Sequence, residues 1–397
     1  MISAIYWALI RAVVALAGFA PLNKRRVVLC SYGGKGVGSD PGVIAAYLVR
    51  QYPDLDIVWM LKDCSCEVPA GVRKAKIFDQ TKSVFGQIFT LFKSAAMFSS
   101  AKVIVCDSKG NLFRKNKRAL YVQTWHGDLP FKFIEGECVE ALGEEHERIS
   151  SRDSRQTDVI LSGSSFMSDI YRKYFWLPES CKILEVGLPR NDVYFGASVD
   201  ESKNVRRHYN IPDSSGIAVY APTFRDNGDV SVFNSIDFNR VRSALSKRFA
   251  KEWKILVRMH PNVDAGKVFI HYDENVIDVS GYSCGEAVFL TADVLITDAS
   301  SIMREFMMMR KPIFVYFPDF ENYTLTCRGL RPLFSDLPFR RGASNEMLAS
   351  EILAFDKEAA LNSVDDFLVR NNICFFDDGH ATERVANLIV NHIYKGD

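Results

Sequence analysis

Two histidines stand where an apolar run gives way to polar residues. His126 follows the β-favouring run 120–124, and His260 follows the run 253–259. One histidine in such a place is more often a hydrogen-bonded structural residue. However, imidazole titrates near neutral pH and can accept or donate a proton in catalysis. Because there is one such histidine in each half of the chain, each followed by a turn residue, the pattern favours a functional role for both.

Hydroxyl and cationic side chains dominate the other strand ends. They occur in LSGSSF (161–166), VGLPRND (186–192), YAPTFRD (220–226), VRMHPN (257–262) and LITDASS (295–301). Such groups suit phosphate oxygens and proton transfer, and none of these ends has the Gly-x-Gly-x-x-Gly pattern of a nicotinamide site. Ser300 and Ser301 have two compatible roles. They are expected to cap a helix over residues 302–310, and a helix N-terminus also favours anions.

Apolar runs alternate with amphipathic stretches along the chain, which predicts an α/β fold with parallel strands. The first set of predicted strands is 27–31, 56–61, 103–106, 120–124, 158–162 and 183–187. The second set is 217–220, 253–259, 275–279, 293–297 and 313–317. A polar, turn-rich stretch separates the sets. We therefore expect two doubly wound, Rossmann-like domains, 23–205 and 206–397, facing a cleft that holds the active site.

The segment 1–22 is apolar except for Arg11, and Lys24, Arg25 and Arg26 follow it. A secretory signal would carry its positive charge before the apolar core, and a charge in the middle of a membrane span is unfavourable. We expect a membrane-associating helix that lies in the interface, with the basic triplet on anionic head groups. A tilted single span and a helix packed on its own domain are the alternatives.

Overall composition narrows the class of protein. The chain has 397 residues, too many for one hydrophobic core, and its 49 basic and 48 acidic residues nearly cancel. Nine cysteines without a Cys-x-x-Cys pair suggest neither a disulfide framework nor a zinc site, so a reducing cytoplasm is the simpler compartment. No metal and no cofactor are indicated.

A basic segment, KGNLFRKNKR (109–118), precedes the first histidine motif. It is either a solvated loop or a patch for an anionic acceptor or the membrane surface. Arg114, Lys115 and, further on, Lys132 are the candidate acceptor-binding residues. Nucleic acid is not expected, since no platform of aromatic and basic residues accompanies the segment.

Six motifs, taken together, resemble the CDP-glycerol glycerophosphotransferases that build teichoic acids and related capsules. They are TWHG (124–127), GLPRND (187–192), APTFR (221–225), RMHP (258–261), TDASS (297–301) and KP (311–312), and the resemblance extends over roughly residues 95–330. It implies a GT-B fold and peripheral attachment to the cytoplasmic face of the cell membrane. It also implies transfer of an alditol phosphate from a CDP-activated donor, CDP-glycerol or a related CDP-alditol, to a lipid-linked acceptor of the undecaprenyl type.

Beside this resemblance, the residues receive specific roles. His126 is expected to be the general base, and His260 and Arg258 are expected to contact the donor pyrophosphate. The phosphate oxygens are assigned to Thr223, Arg225, Ser300 and Ser301, and Arg328 resembles a further family contact. The family usually has an aromatic residue before the serine pair and Phe-Asp-Phe shortly after it. This chain has Ala299 and then Arg304-Glu305-Phe306, and Glu305 keeps the carboxylate that holds the nucleotide ribose in such folds.

Three functions remain open from the sequence. The first is the CDP-alditol phosphotransferase, acting as a primase or as a short polymerase. The second is a GT-B glycosyltransferase that uses a nucleotide sugar, which the TWHG and HPN motifs disfavour. The third is a catalytically inactive membrane scaffold of the same fold, which the presence of both His126 and His260 disfavours. Glycerol or ribitol donor, acceptor identity and oligomeric state are not decided by the sequence.

Overall fold

The computed structural model describes residues 2–78, 84–196, 199–225, 227–260, 263, 265–327 and 329–395. Two compact units share the chain. Unit 1 comprises residues 1–126, 142–192 and 376–397, and unit 2 comprises residues 127–141 and 193–375. Each unit has its own parallel sheet, so the α/β prediction is confirmed.

The strands lie close to the predicted runs. They are β1 (Asn23–Cys30), β2 (Asp56–Leu61), β3 (Arg73–Lys76), β4 (Ala101–Cys106), β5 (Leu120–Gln123), β6 (Val159–Ser162), β7 (Lys182–Glu185), β8 (Gly216–Tyr220), β9 (Trp253–Val257), β10 (Val276–Asp278), β11 (Val294–Thr297), β12 (Ile313–Tyr316) and β13 (Arg341–Gly342). β3 and β13 were not predicted, because β3 has the charged sequence RKAK and β13 has only two residues.

Helices cover much of the remaining chain. They are α1 (Ile2–Ala17), α2 (Ser39–Gln51), α3 (Val84–Ser99), α4 (Val139–Leu142), α5 (Glu144–Ser154), α6 (Ser165–Tyr174), α7 (Val199–His208), α8 (Phe238–Phe249), α9 (Gly285–Thr291), α10 (Met303–Met308), α11 (Phe320–Thr326), α12 (Pro332–Ser335), α13 (Asn345–Leu353), α14 (Lys357–Arg370) and α15 (Ala381–Tyr394).

The two sheets repeat one topology. Within the described residues, unit 1 has the strand order β3-β2-β1-β4-β5-β6-β7 and unit 2 has the order β10-β9-β8-β11-β12-β13. The direction of winding reverses between β1 and β4 in unit 1 and between β8 and β11 in unit 2. In doubly wound sheets, ligands bind beyond the carboxyl ends of the strands at such a reversal. The loops after these four strands are therefore the first places to look for a site.

The division of the chain differs from the predicted boundary at residues 205 and 206. The C-terminal helix α15 belongs to unit 1, where it packs on α2 and β4, and the segment 127–141 belongs to unit 2. Val385, Ala386 and Ile389 of α15 are buried in the unit 1 core. Sequence patterns report the local period of a helix but not the sheet on which it packs, so the return of α15 could not be read from them.

The N-terminal segment forms the helix α1, which packs along α3. Ile10, Val13, Val14 and Ala17 are buried together with Leu91 and Ala95 of α3. One face of the helix is therefore covered by protein, which agrees with the alternative of a helix packed on its own domain. Among the helices described, none has both the length and the apolar character needed to cross a bilayer.

Candidate active site

In unit 2, the loops after β8 and β11 are tied together by Asp298. Its carboxylate accepts a hydrogen bond from the backbone N–H of Thr223, at 2.8 Å, and another from the guanidinium of Arg225, at 2.7 Å. Asp298 follows the last residue of β11 directly, whereas Thr223 comes three residues after β8. The side chain of Asp298 therefore fixes the loop geometry at the point where the strand order reverses.

The guanidinium of Arg225 is bonded to two carboxylates and a backbone carbonyl. Its side chain is 1% exposed, and it forms ion pairs with Asp298 and Asp319 while also donating to the carbonyl of Thr223 at 2.6 Å. The ring of Tyr323 lies 4.8 Å from the guanidinium carbon. The sequence had assigned this residue to donor phosphate oxygens. Its geometry instead makes it a support for the loop that carries Thr223.

Thr223 presents a buried hydroxyl. The residue is 8% exposed, and the Oγ1 atom has no hydrogen-bond partner among the described residues. A buried polar atom without a partner is unusual in a folded protein and needs an explanation. Its place at the reversal point of the sheet, where phosphate-bearing ligands bind in such folds, makes a bound ligand the natural one.

The neighbouring strand β9 delivers Arg258 and His260 to the same edge of the sheet. Arg258 donates to the carbonyls of Val279 and Tyr282, at 2.9 and 3.1 Å, so part of its guanidinium serves the loop after β10. His260 is exposed, and its ring stacks on Phe224 with 5.9 Å between the centroids. Because Phe224 follows Thr223 directly, the histidine and the buried hydroxyl belong to one local cluster.

The serine pair does not cap a helix as expected. The helix predicted over 302–310 is the shorter α10, which starts at Met303, and its N-cap residue Ile302 makes no side-chain capping bond. Ser300 Oγ accepts a long hydrogen bond from the N–H of Ile302, at 3.4 Å. The carbonyls of Ser300 and Ser301, rather than their hydroxyls, accept from the first N–H groups of α10. A helix of this length offers little macrodipole, so any anion contact must come from the hydroxyls themselves.

In unit 1, His126 is positioned by the chain around β5. Its Nδ1 lies 2.8 Å from the carbonyl oxygen of Asp107, the residue directly after β4. Trp125 adopts the left-handed φ of 56°, and its backbone N–H donates a hydrogen bond to Oε1 of Gln123 at 2.9 Å. Because a carbonyl can only accept, Nδ1 carries the proton in the neutral imidazole and the lone pair resides on Nε2. This is the tautomer that a general base needs.

Asp107 also organises the reversal point of unit 1. Its carboxylate accepts from the N–H of Tyr32, at 2.7 Å, in the loop after β1. Burial raises the pKa of this carboxyl to about 7. The hydrogen bond from Tyr32 lowers this pKa, and the nearby negative charge of Asp40 raises it. Sequence reading missed both Asp107 and Asp298. The signal was a carboxylate at the first position after an inner strand.

The chain passes from unit 1 to unit 2 at the peptide bond after His126. A Cβ placed on Gly127 would lie 3.8 Å from Ser301 Oγ, and Asp128 forms an ion pair with Arg304 of α10. Lys132, predicted to bind the acceptor from the N-terminal domain, belongs to unit 2 and pairs through its backbone with Leu330. Its assignment to the N-terminal domain is therefore corrected.

Arg114 and Lys115 lie away from the strand ends that carry His126. Lys115 forms an ion pair with Asp158, whose carboxylate also accepts from the N–H of Tyr121 near the start of β5. Arg114 is exposed and lies against Gly18, just after α1. These residues lie towards the amino end of β5, the edge of the sheet opposite to the end that carries His126, and their contact with the acceptor stays a prediction.

Glu305 and Arg328 were also predicted to bind the donor. Glu305 lies on α10 and is 6% exposed. Arg328 lies outside the described residues, so its predicted contact stays a prediction.

The GLPRND motif is a joint of unit 1. Arg190 forms a buried ion pair with Asp40, Asn191 donates to Asp377 at 2.9 Å, and Asp192 accepts from the first two N–H groups of α15. Gly187 adopts a φ of 81°, and a Cβ there would meet the backbone of Asp377 at 2.8 Å. The motif therefore holds the C-terminal helix in unit 1, and these structural contacts account for the residue types in the motif.

A family model for the CDP-glycerol:poly(glycerophosphate) glycerophosphotransferases matches residues 12–391. The chain belongs to this family. The resemblance drawn from the six motifs is thereby confirmed.

Individual relatives of the chain act in teichoic acid synthesis by name. The teichoic acid poly(glycerol phosphate) polymerase of Staphylococcus epidermidis is 29% identical over 385 residues, which are 93% of this chain and 51% of that polymerase. The chain thus spans about half of that relative's length. The teichoic acid glycerol-phosphate transferase of Staphylococcus aureus is 26% identical, with 92% of this chain and 93% of the relative covered.

A solved structure has the same architecture. It is the wall teichoic acid polymerase TagF, in a histidine-to-asparagine variant soaked with CDPG, and the TM-score is 0.79 at 27% identity. The match covers 98% of this chain and 94% of that one.

Proposed function

We propose that this protein transfers glycerol phosphate, or another alditol phosphate, from a CDP-activated donor to a hydroxyl of a lipid-linked acceptor and releases CMP. Family membership supports the reaction class, and the names of the relatives support teichoic acid or a similar polymer as the product. The single observation from this chain that carries the donor site is the buried hydroxyl of Thr223 at the reversal point of the unit 2 sheet, which has no hydrogen-bond partner within the part of the chain that the structure describes.

The donor groups in this proposal surround the loops after β8, β9 and β11. Thr223 Oγ1 donates to a phosphate oxygen, and His260 and Arg258 contact the pyrophosphate from the neighbouring strand. Ser300 and Ser301 add hydroxyl donors, and Glu305 accepts from the ribose. Arg225 and Asp298 are positioning residues in this proposal, because they bond to the backbone of Thr223 and to each other.

The chemical step is a displacement at the β-phosphorus of the donor. The acceptor oxygen forms a bond to this phosphorus while the bond to the bridging oxygen breaks, and CMP leaves with that electron pair. The acceptor proton passes to Nε2 of His126, whose Nδ1 is held by the carbonyl of Asp107. Positioning and charge stabilisation contribute most of the catalysis in such transfers, and the base removes the proton as charge develops.

The lipid-linked acceptor requires access to a membrane surface, and the α1–α3 apolar face fits that requirement. The name denotes the exposed apolar side chains on and next to these two helices, which are Leu9, Leu16, Phe19, Phe85, Phe89 and Phe92. Lys93 lies over the ring of Phe89, at 4.3 Å, and Arg114 lies beside Gly18. Aromatic side chains with a cationic rim are typical of interfacial helices on anionic lipid. We infer peripheral attachment to the cytoplasmic face of the membrane.

The proposed function is tested by measuring CMP release and donor binding together. Wild-type protein, His126→Ala and His260→Ala are incubated with CDP-glycerol or CDP-ribitol and a synthetic lipid acceptor. We expect His126→Ala to abolish turnover while the donor still binds, because the base acts on the acceptor hydroxyl. We expect His260→Ala to lose roughly tenfold to a hundredfold in donor affinity, since a hydrogen bond to a charged phosphate contributes about 1.5 to 3 kcal/mol.

The outcomes separate the remaining functions. Wild-type protein that binds neither CDP-alditol and releases no CMP would leave the inactive scaffold as the better reading. Transfer of a sugar from a nucleotide sugar would replace the proposed reaction by a glycosyl transfer. Normal turnover by His126→Ala would remove this residue as the base, and loss of donor affinity in His126→Ala alone would exchange the two histidine roles. Circular dichroism of each variant controls for folding.

A further inference from the structure

The segment that follows His126 is anchored by a buried ion pair within unit 2. Arg304 Nε lies 2.6 Å from Asp128 Oδ2, and the two side chains are 0% and 1% exposed. The guanidinium carbon of Arg304 also lies 4.7 Å from the centre of the Phe375 ring. Removing two charges from water is unfavourable, so a pair this deeply buried is weak evidence for a purely stabilising role. Its location suggests another one.

Both ends of the pair are next to groups of the proposed reaction. Asp128 is two residues after His126, and Arg304 directly precedes Glu305 on α10. Gly127, between His126 and Asp128, lies beside the hydroxyl of Ser301. The segment 127–128 is therefore packed on the same turn of chain that carries the proposed ribose and phosphate contacts.

We propose that Asp128 and Arg304 are positioning residues that fix the backbone on the carboxyl side of His126 and so orient its imidazole for proton transfer. The amino side of His126 is already fixed in unit 1 by the bond between Nδ1 and the Asp107 carbonyl and by the strained Trp125. With both sides held, the imidazole has little rotational freedom left. A base held in one orientation gains from proximity, and a small displacement lowers the rate strongly.

The same pair accounts for a departure noted in the sequence. Arg304 stands where the resembled family has phenylalanine, and an arginine at a buried position requires a buried partner. Asp128 is that partner in this chain. This inference rests on the proposed function, because the positioned group is its general base.

The test uses the full chain with both charges removed at once. The double variant Asp128→Asn/Arg304→Met removes both charges of this pair together, so neither is left in the interior without the other and the fold is expected to persist. We expect kcat for CMP release to fall at least tenfold, while the dissociation constant for CDP-glycerol stays within threefold of the wild-type value. Hydrogen exchange of the backbone amides of residues 127–129 should become faster in the same variant.

A matched control lies in the same segment. Glu137 and Arg331 form another buried ion pair in unit 2, with side chains 6% and 8% exposed, and Glu137 is eleven positions after His126. We expect Glu137→Gln/Arg331→Met to keep kcat within twofold. An equal loss in this control would mean that general anchoring of the segment, and not the pair at Asp128, affects the rate, which overturns the inference.

Further outcomes distinguish this inference from the proposed function. If wild-type protein releases CMP and the Asp128→Asn/Arg304→Met variant keeps wild-type kcat, the positioning role is wrong and the proposed function stands. A loss of donor affinity equal to the loss of kcat also overturns it, because the pair would then support the donor site. If wild-type protein releases no CMP, the proposed function fails first, and unchanged exchange at residues 127–129 would separately reject the anchoring role.

Discussion

At the scale of single residues, the carboxylates explain more of the site than the histidines do. Asp107 and Asp298 occupy the same topological place in their sheets, directly after the strand at which the winding reverses. Each accepts the N–H of a residue in the loop opposite, Tyr32 or Thr223. The histidines stand out in the sequence because their side chain is chemically distinctive, and their catalytic roles stay predictions. The carboxylates could not be assigned, because their partners are distant in sequence.

The burial of the Asp107 carboxyl leads to a prediction of how the stability of the protein depends on pH. For Asp107, burial raises the pKa from 3.8 to about 7. Between these pH values the native protein binds more protons at this site than the unfolded chain does, so this contribution to stability is present at low pH. It is lost as the pH rises through about 7.

Asp107→Asn removes this titration and keeps the backbone carbonyl that holds His126. We expect the stability of the wild type relative to Asp107→Asn to fall by about 2 to 4 kcal/mol between pH 4 and pH 8, given about 1.4 kcal/mol per pKa unit. Urea unfolding of both proteins across this range gives the difference directly. A stability difference that rises with pH would show that the native carboxyl is a favoured anion.

At the scale of elements, the inner strands and the edge strands β7 and β10 were predicted from the sequence, whereas the edge strands β3 and β13 were not. The apolar runs predicted β1, β2, β4, β5 and β6, because the apolar residues of these strands are buried in the core. The edge strand β3 is charged and exposed, and its pairing with β2 comes from the sheet alone. The start of α10 was misjudged for a related reason. Serine is common at N-caps, but here the N-cap of α10 is Ile302. Ile302 has helical backbone angles and makes no side-chain capping bond.

The serine pair offers a test that separates a structural from a binding role. Because neither hydroxyl caps α10, we expect Ser300→Ala/Ser301→Ala to change the free energy of unfolding by less than about 0.5 kcal/mol. Donor affinity should fall about tenfold, as expected when hydrogen bonds to a charged phosphate are lost. Isothermal titration with CDP-glycerol and urea unfolding provide the two numbers.

A true cap in the same unit serves as the control for the serine pair. Ser344 Oγ accepts from the N–H of Met347 at the start of α13. Ser344→Ala should cost about 1 kcal/mol of stability and leave donor affinity unchanged. Unaltered donor affinity in the Ser300→Ala/Ser301→Ala variant would remove these serines from the site.

At the scale of the whole molecule, the chain path decides what sequence reading could not. The chain leaves unit 1 after His126, returns, crosses again after Asp192 and comes back for α15. Side chains remote in sequence bind next to some of these crossings: Asp192 accepts a hydrogen bond from the start of α15, and Arg304 forms an ion pair with Asp128. Local periodicity predicts elements, and motif order predicts the family. Neither contains the long-range pairs that assign the segment 127–141 to unit 2.

Membrane attachment also belongs to this scale, and the packing of α1 changes how it should be tested. Removing residues 1–22 would uncover Leu91 and Ala95 of α3, so a truncated chain would confuse folding with membrane binding. Point variants on the α1–α3 apolar face avoid this. Phe19 and Phe85 are 80% and 86% exposed, and their replacement should leave the fold intact.

We expect Phe19→Ser/Phe85→Ser to lower the partition coefficient onto anionic liposomes at least tenfold, since full burial of one such side chain contributes about 1.5 to 3 kcal/mol. Sedimentation with phosphatidylglycerol vesicles measures it. The matched control is Phe269→Ser/Val369→Ser, which removes two apolar side chains of unit 2 that are 79% and 76% exposed. If exposed apolar side chains anywhere on the surface contributed equally, the two variants would lose the same amount of liposome binding. A loss confined to Phe19 and Phe85 would locate the membrane contact on α1 and α3, and undiminished binding by that variant would exclude this face.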